Sequence, residues 1–386
     1  MKVFNKNGVD MDALIADASE HENARLILNL SCDDPENCLS SLIVGKYGSE
    51  LKEAFKSLSE KIKAEELILL KPASIDFEIE GAKVIEHDPN PVLREESAVG
   101  RLLERGELRS EPLYKEFTSQ GMDGRAEVIT DAETLLRLAG LNTEVKLICL
   151  NEAGKCSLMV CPIDSFAELG EAKGYLFGGV SGKFMASKEF RIEYSYLSDS
   201  ITLYTEKCCM VSEAARTLTR AKELSCAKCV LCREGSWHLS EIFNDISLGK
   251  GKKEDLDMVN DIGPLINIGA FCSFGQNMAL TAVSAVEAFR DEFEEHIVRK
   301  KCSAGVCAAF SKKSYCIDPT LCTGCGGCED ECDEMAIEGK KKFIYMIDPD
   351  MCSACGKCVE ACDEDAIVLN DGSIKLPKKL TRVGRF

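Results

Sequence analysis

Residues 318–337 read DPTLCTGCGGCEDECDEMAI, and residues 348–367 read DPDMCSACGKCVEACDEDAI. The second stretch repeats the first after 30 residues, and each carries cysteines at C-x2-C-x2-C-x3-C spacing. Three thiolates so close together wrap one corner of an Fe4S4 cube, and the backbone N–H groups between them point at its sulfides. The fourth cysteine reaches across to the other cube. This pattern assigns Cys322, Cys325, Cys328 and Cys362 to one [4Fe-4S] cluster, and Cys352, Cys355, Cys358 and Cys332 to a second. The competing reading is a pair of zinc sites built from C-x2-C units. Two tandem four-cysteine runs in matched register argue against it. The proline that usually follows the fourth cysteine is Asp333 in one copy and Asp363 in the other. Negative charge there disfavours the reduced cluster, unless solvent screens both carboxylates.

The rest of the chain fits a metal-binding rather than a disulfide-stapled protein. Of its 386 residues 22 are cysteine, and 17 of those lie between Cys208 and Cys362. A chain this long needs no disulfides to hold a core, MKVFNKNGVD opens no export signal, and no apolar run is long enough to span a bilayer. The expectation is a cytoplasmic protein. With 65 acidic against 47 basic residues the formal charge is −18, which argues against a nucleic-acid partner and fits protein partners.

The N-terminal half reads as α/β. ARLILNL (24–30) and ELILL (66–70) look like buried strands, and between them the stretch from Ser49 to Lys63 has helical spacing, with Leu51, Phe55, Leu58 and Ile62 on one apolar face. GKYGSE at 45–50 is a poor phosphate loop and reads as a turn. From Glu144 to Tyr204, β-like runs (VKLICL, CSLMVC, FRIEYSYL, ITLYT) alternate with glycine turns such as FGGVSG. From Ser212 to Arg299 the period turns helical, with segments at Leu239–Ile246, Leu256–Ile266 and Ala279–Phe293 predicting a bundle. His21, His87 and His238 show no nucleophile partner, so they read as solvated or capping residues.

A third cysteine run, SCAKCVLCREGS (225–236), supplies Cys226, Cys229 and Cys232 but no fourth ligand at x3. The nearest later cysteine is Cys272, in GAFCSFGQN, just before the third helical segment. S-C-x-x-C-x-x-C-R-E-G followed some forty residues later by C-x-x-G-Q, with the match running on through AFRDEFEEHI, resembles the NADH-oxidising flavoprotein subunit of respiratory complex I. The same subunit type occurs in NAD-linked bifurcating [FeFe] hydrogenases and formate dehydrogenases, and in the hydrogenase-type members a two-cluster ferredoxin module follows. The resemblance implies that Cys226, Cys229, Cys232 and Cys272 bind a third [4Fe-4S] cluster. Four dispersed N/S residues, His296, Cys302, Cys307 and one of Cys208 or Cys209, suit a structural Zn2+ by type, while spacing alone leaves metal and unrelated thiols equally open. The hydrogenase-type pattern Thr-Cys-Met-Val aligns with Cys208–Val211, so the resemblance implies Cys209 as ligand and a zinc that pins the ferredoxin module to the bundle. Cys316 is left as a buried structural thiol.

Upstream, VITDAETL (128–135), the glycine turn FGGVSG, LREESA (93–98) and NLSCDDPE (29–36) align with family motifs. Asn29, Pro35, Glu95 and Glu96 persist, and fold retention suffices to explain them. Every departure falls on the flavin and nucleotide site. The family's G-R-G-G-A-G-F-P loop belongs upstream of Asn29, where Gly8 is the only glycine among 28 residues. A loop whose N–H groups approach a phosphate needs those glycines. The family's acidic pair is Ser31 and Cys32 here, its glycines are Glu36 and Arg94, and its asparagine pair is Thr130 and Asp131. Arg94 could instead pair with a nearby carboxylate, such as Asp33 or Asp34, and fill the cleft.

The resemblance therefore implies an α/β plus α+β multidomain chain. Its parts are a degenerate Rossmann-like flavin domain (1–140), a β-grasp domain (141–206), a helical-bundle [4Fe-4S] domain (207–300), a zinc-linked connector (301–316), a two-cluster ferredoxin domain (317–372) and a tail (373–386). The expected cofactors are three [4Fe-4S] clusters and one Zn2+, without FMN or NAD. The expected function is an electron-transfer subunit of a multi-subunit oxidoreductase of the NADH dehydrogenase, bifurcating hydrogenase or formate dehydrogenase type. Its partners would be other subunits, a thioredoxin-like [2Fe-2S] subunit among them, or soluble ferredoxin. Two alternatives stand beside it: a catalytic FMN-dependent NAD(P)H dehydrogenase with a divergent site, and a structural adaptor whose clusters serve folding.

Overall fold

The computed structural model describes residues 2–6, 8–34, 37–110, 124–162, 169–187, 199–310, 314–349, 351–370, 374–377 and 379–386. The chain divides into two compact units, Met1–Cys307 and Ala308–Phe386.

The first unit begins with α1 (Met11–Ser19), whose N-cap Asp10 accepts from the Ala13 N–H. It leads into β1 (Arg25–Asn29), every residue of which is buried, as a central parallel strand requires. The strands β2 (Glu66–Lys71), β3 (Lys83–Glu86) and β4 (Glu127–Thr130) join it in the all-parallel order β3-β2-β1-β4. Arg25 faces Glu66 on β2 and Glu127 on β4 in register and ion-pairs with both, at 3.0 and 2.6 Å, so the buried guanidinium ties three strands together.

The helix between β1 and β2, α2 (Leu39–Lys61), is longer than the predicted one, and the GKYGSE segment read as a turn lies inside it, marked by a kink at Tyr47. Leu51, Phe55 and Leu58 of α2 pack into the main core with Leu26, Leu28 and Leu69 of the sheet. The helices α3 (Glu96–Arg105) and α4 (Ala132–Leu138) complete this layer. Asp131 caps α4 through the Glu133 and Thr134 N–H groups.

A second sheet follows, with strands β5 (Val145–Glu152), β6 (Lys155–Pro162), β7 (Gly174–Phe177), β8 (Lys183–Met185) and β9 (Ser200–Tyr204) in the order β6-β5-β9-β7-β8. Only β5 and β9 run parallel. The FRIEYSYL run lies outside the described residues. Four long helices then pack together: α5 (Met210–Leu224), α6 (Val230–Ser247), α7 (Glu254–Gly269) and α8 (Ser273–Ala288). The sequence periodicity outlines three; α5, with Ala214, Ala215, Leu218 and Ala221 on its buried face, is the addition. A short α9 (Arg290–Glu294) runs into a π-turn, Glu295–Arg299.

The second unit is small and internally repeated. It comprises β10 (Tyr315–Ile317), α10 (Gly327–Asp330), β11 (Ile337–Glu338), β12 (Met346–Ile347), α11 (Lys357–Glu360) and β13 (Ile367–Leu369). β10 pairs antiparallel with β13, and β11 with β12, so the ends of each repeat meet the other's. Cys316 is buried in β10 opposite Val368.

The glycine turn Phe177–Gly182 is the joint of the first unit. Asp34, from the loop after β1, accepts the Val180 N–H at 2.7 Å, and its carboxylate stands where a Cβ on Gly179 would fall. From the other side Thr281 of α8 donates to the Gly182 carbonyl at 2.7 Å. A Cβ on Gly182 would lie 1.9 Å from the Phe177 carbonyl oxygen, and backbone cannot move aside as a side chain can. Gly182→Ala is therefore expected to destabilise the chain by about 3 kcal/mol, seen as a lower thermal midpoint in anaerobic protein. An unchanged midpoint would show that the turn relaxes freely.

Candidate metal centres

The second unit holds two hollows between its cysteine loops. Cys322, Cys325, Cys328 and Cys362 line the first, and Cys332, Cys352, Cys355 and Cys358 line the second. Each takes three thiols from one repeat and the fourth from the other. Tyr345 walls the first and Tyr315 the second, again from the opposite repeat. The loops bend through left-handed positions at matching places: Gly324 and Ala354, Gly326 and Gly356, Met335 and Asp365. Backbone N–H groups turn toward sulfur, with Ala336 N to Cys332 Sγ and Ala354 N to Cys352 Sγ both at 3.4 Å. Burial, with Cys322 and Cys325 close by, pushes the Cys328 thiol up to about 12. Asp333 pairs with Lys357 at 2.5 Å on the surface, and Asp363 is exposed, so both carboxylates at the missing proline positions are screened.

In the first unit the third cysteine run lies at two helix starts. Cys229 is the N-cap of α6, Cys232 follows in its first turn, and Cys272 is the N-cap of α8, the fourth long helix. Gly275, in the first turn of α8, is so close to Cys232 that an added Cβ would lie 3.2 Å from its sulfur. Burial pushes the Cys272 thiol up to about 12, and Cys226 and Cys232 lie near enough to add their repulsion. Cys226 and Cys232 thus lie on the side of the bundle where α8 begins with Cys272.

Two residues of the first sheet's layer grip this site from outside, and no sequence motif pointed to that role. Asn90 donates to the Leu224 carbonyl at 3.1 Å, at the end of α5 just before the cysteine loop. Buried Glu95 accepts from both the N–H and hydroxyl of Ser273, at 2.9 and 2.6 Å, next to Cys272. The persistence of Glu95 thus has a specific use.

Cys209, His296, Cys302 and Cys307 are all buried, and their ligand atoms lie within 4.8 Å of one another. Cys209 Sγ stands 3.3 Å from His296 Nε2, and Cys307 Sγ 3.5 Å from each of them. Around one tetrahedral Zn2+ such atoms sit roughly 3.5–3.8 Å apart. Nδ1–H of His296 donates to the Glu292 carbonyl at 2.8 Å, which leaves Nε2 as the ligating atom, and burial pushes the imidazole toward its neutral form. Cys208 is outside the group, its sulfur 3.7 Å from the Thr205 hydroxyl.

The cleft beside Asn29 is filled by charge. Arg94 pairs with Asp199 at 3.1 Å, a nearby carboxylate of the kind the sequence reading called for. Its Nε donates to the Cys32 carbonyl at 3.2 Å. Lys6 reaches the same Asp199 carboxylate at 2.9 Å. Burial alone would push Asp199 up; Arg94 and Lys6 outweigh it and hold the carboxyl well below the usual range. Lys6, Arg94, Glu96 and Asp131 line what is left of the cleft. Asp199 escapes a sequence reading because it lies far along the chain in no motif. Pro35 and Glu36 lie outside the described residues.

Residues 212–296 match the NADH-ubiquinone oxidoreductase-F iron-sulfur binding region, and residues 345–368 match the 4Fe-4S binding domain. The bundle part of the chain is similar to the iron-sulfur region of the F component of NADH-quinone oxidoreductases. The chain is 37% identical over 175 residues to the NADP-reducing hydrogenase subunit HndC of Solidesulfovibrio fructosivorans, covering 43% of this chain and 35% of that one. It is 38% identical over 103 residues to the F component of the NADH-quinone oxidoreductase of Streptomyces coelicolor, covering 27% and 23%. The matched part thus spans about a third or less of these relatives. An NAD+-reducing [NiFe]-hydrogenase in the H2-reduced state superposes with a TM-score of 0.66 over 77% of this chain and 61% of that one, at 17% identity, which shows a shared mixed α/β and helical fold. Among the described residues no helix is long and apolar enough to cross a membrane.

If Glu95 holds the start of α8 in place, Glu95→Ala loosens Cys272 and iron falls from about twelve toward eight atoms per chain. Glu95→Gln keeps an acceptor for Ser273 and is expected to keep the iron. Iron and acid-labile sulfide assays on anaerobic protein check both, and full iron in Glu95→Ala would refute the role.

Proposed function

We propose that this chain is an electron-relay subunit of a multi-subunit oxidoreductase of the NADH dehydrogenase, bifurcating hydrogenase or formate dehydrogenase type. One observation carries the reading: three sets of four cysteines are complete, while the cleft beside Asn29 is closed by ion pairs. The sets are Cys322/Cys325/Cys328/Cys362, Cys352/Cys355/Cys358/Cys332 and Cys226/Cys229/Cys232/Cys272. When bound, [4Fe-4S] clusters supply one-electron storage without bond or proton chemistry.

The chain's own residues do the rest. Thiolates fix position, the Ala336 and Ala354 N–H groups stabilise negative charge on sulfur, and Tyr315 and Tyr345 limit water. Cys209, His296, Cys302 and Cys307 would hold a structural Zn2+ that closes the end of the bundle. The domain divisions inferred from the sequence belong to this proposal, with the second sheet as the β-grasp-like part. Partners would be the subunits that carry flavin or the terminal catalyst, a thioredoxin-like [2Fe-2S] subunit, or soluble ferredoxin. The similar hydrogenase and NADH-quinone oxidoreductase subunits support the class of complex.

Flavin does not fit the residues present. Arg94, buried and paired with Asp199, stands at the glycine position of the family motif, and separating that buried pair is costly. No glycine-rich turn lies among the described residues before Asn29. The alternative is an FMN-dependent NAD(P)H dehydrogenase with a divergent site. Acid extraction of the anaerobic chain followed by flavin fluorescence separates the two. Less than about a tenth of an equivalent of FMN, with no NADH–viologen activity, is expected; stoichiometric FMN would put the dehydrogenase first.

A further inference from the structure

We propose that Cys38, Cys149 and Cys156 form a second single-ion site, in which three thiolates bind Zn2+ and a solvent molecule completes the tetrahedron. These cysteines belong to none of the sets above. Cys38 is the N-cap of α2, yet its side chain makes no capping hydrogen bond. Cys149 lies in β5 and Cys156 at the start of β6. In the β5–β6 register Cys149 faces Leu158 and Asn151 faces Cys156, so both thiols lie on the same face of the hairpin. That face packs against α2. The three sulfurs lie within 4.8 Å of one another, and Cys38 and Cys149 Sγ are 3.9 Å apart. Thiolates on one tetrahedral zinc lie about 3.8 Å apart.

The plainer reading is three cysteines acting as small core hydrophobes. Two observations weigh against it. Cys149 is buried, but Cys38 and Cys156 are only half-buried, so the cluster has an edge through which an ion and a solvent ligand can enter. Hydrophobic packing also needs contact, not convergence of every sulfur on one point. Among the described residues only this trio and the Cys209 group bring three or more ligand atoms this close; none of the twelve cysteines assigned to cubes does. A cube holds its thiolates farther apart than one ion does, so the tight spacing selects a single ion. Thiolate ligands favour a soft or borderline cation over Mg2+ or Ca2+. Binding releases the three thiol protons to solvent and leaves a site of net charge −1. A Cys38–Cys149 disulfide would need an oxidant and would leave Cys156 without a purpose.

The test uses the full anaerobic chain with its clusters intact and Zn2+ titrated against a chromogenic chelator. Wild type is expected to hold two zinc equivalents and Cys38→Ser one, with iron unchanged. Serine is a good N-cap, so this variant removes a ligand without weakening α2. Cys302→Ser should lose the other equivalent, and the double variant both. Zinc in Cys38→Ser equal to wild type would overturn the proposal. So would a Cys38–Cys149 disulfide in peptide mass spectra of the anaerobic protein.

Discussion

No proposed cube in this chain can be closed by neighbouring residues alone. A C-x2-C-x2-C loop offers three thiolates, and the fourth must come from another part of the fold. In the second unit the repeat solves this by symmetry: each half lends Cys332 or Cys362 to the other, and the β10–β13 and β11–β12 pairs hold the halves in register. In the first unit two helix starts must be brought together, and the bundle does this with outside help. Asn90 and Glu95, from the segment that follows β3, hold the chain just before Cys226 and just after Cys272. The α/β layer therefore helps to position the loops that carry these cysteines.

That layer also shows how a cleft closes. Arg94 and Lys6 meet on Asp199, a carboxylate contributed by the second sheet. Buried ions are tolerable only when paired, so these three side chains stabilise one another and would be costly to separate. Together with Asp34 on the glycine turn they join the two sheets through charge and backbone hydrogen bonds. The ion pairs occupy the space beside Asn29 as a packed interface would.

The sequence disclosed local features well and distant ones poorly. ARLILNL and ELILL became β1 and β2 because continuous apolar runs suit a strand covered on both faces. The repeat spacing foretold which thiols share a hollow. GKYGSE misled because two glycines signal a turn, yet α2 passes through with only a kink at Tyr47. Arg94 was read as a filler paired with a nearby carboxylate, but Asp199 could not be named, since it is 105 residues away and carries no pattern. Glu95 bonding Ser273 and the meeting of Cys38 with Cys149 are likewise contacts between remote residues, which no periodicity records.

The central claim is three one-electron centres and no flavin in one chain. Stepwise anaerobic titration with dithionite, followed by electron paramagnetic resonance, tests it most directly. The predicted result is uptake of three electrons per chain, all appearing as reduced [4Fe-4S] signals. An additional two-electron step with a flavin semiquinone radical, or uptake of only two electrons, would contradict it.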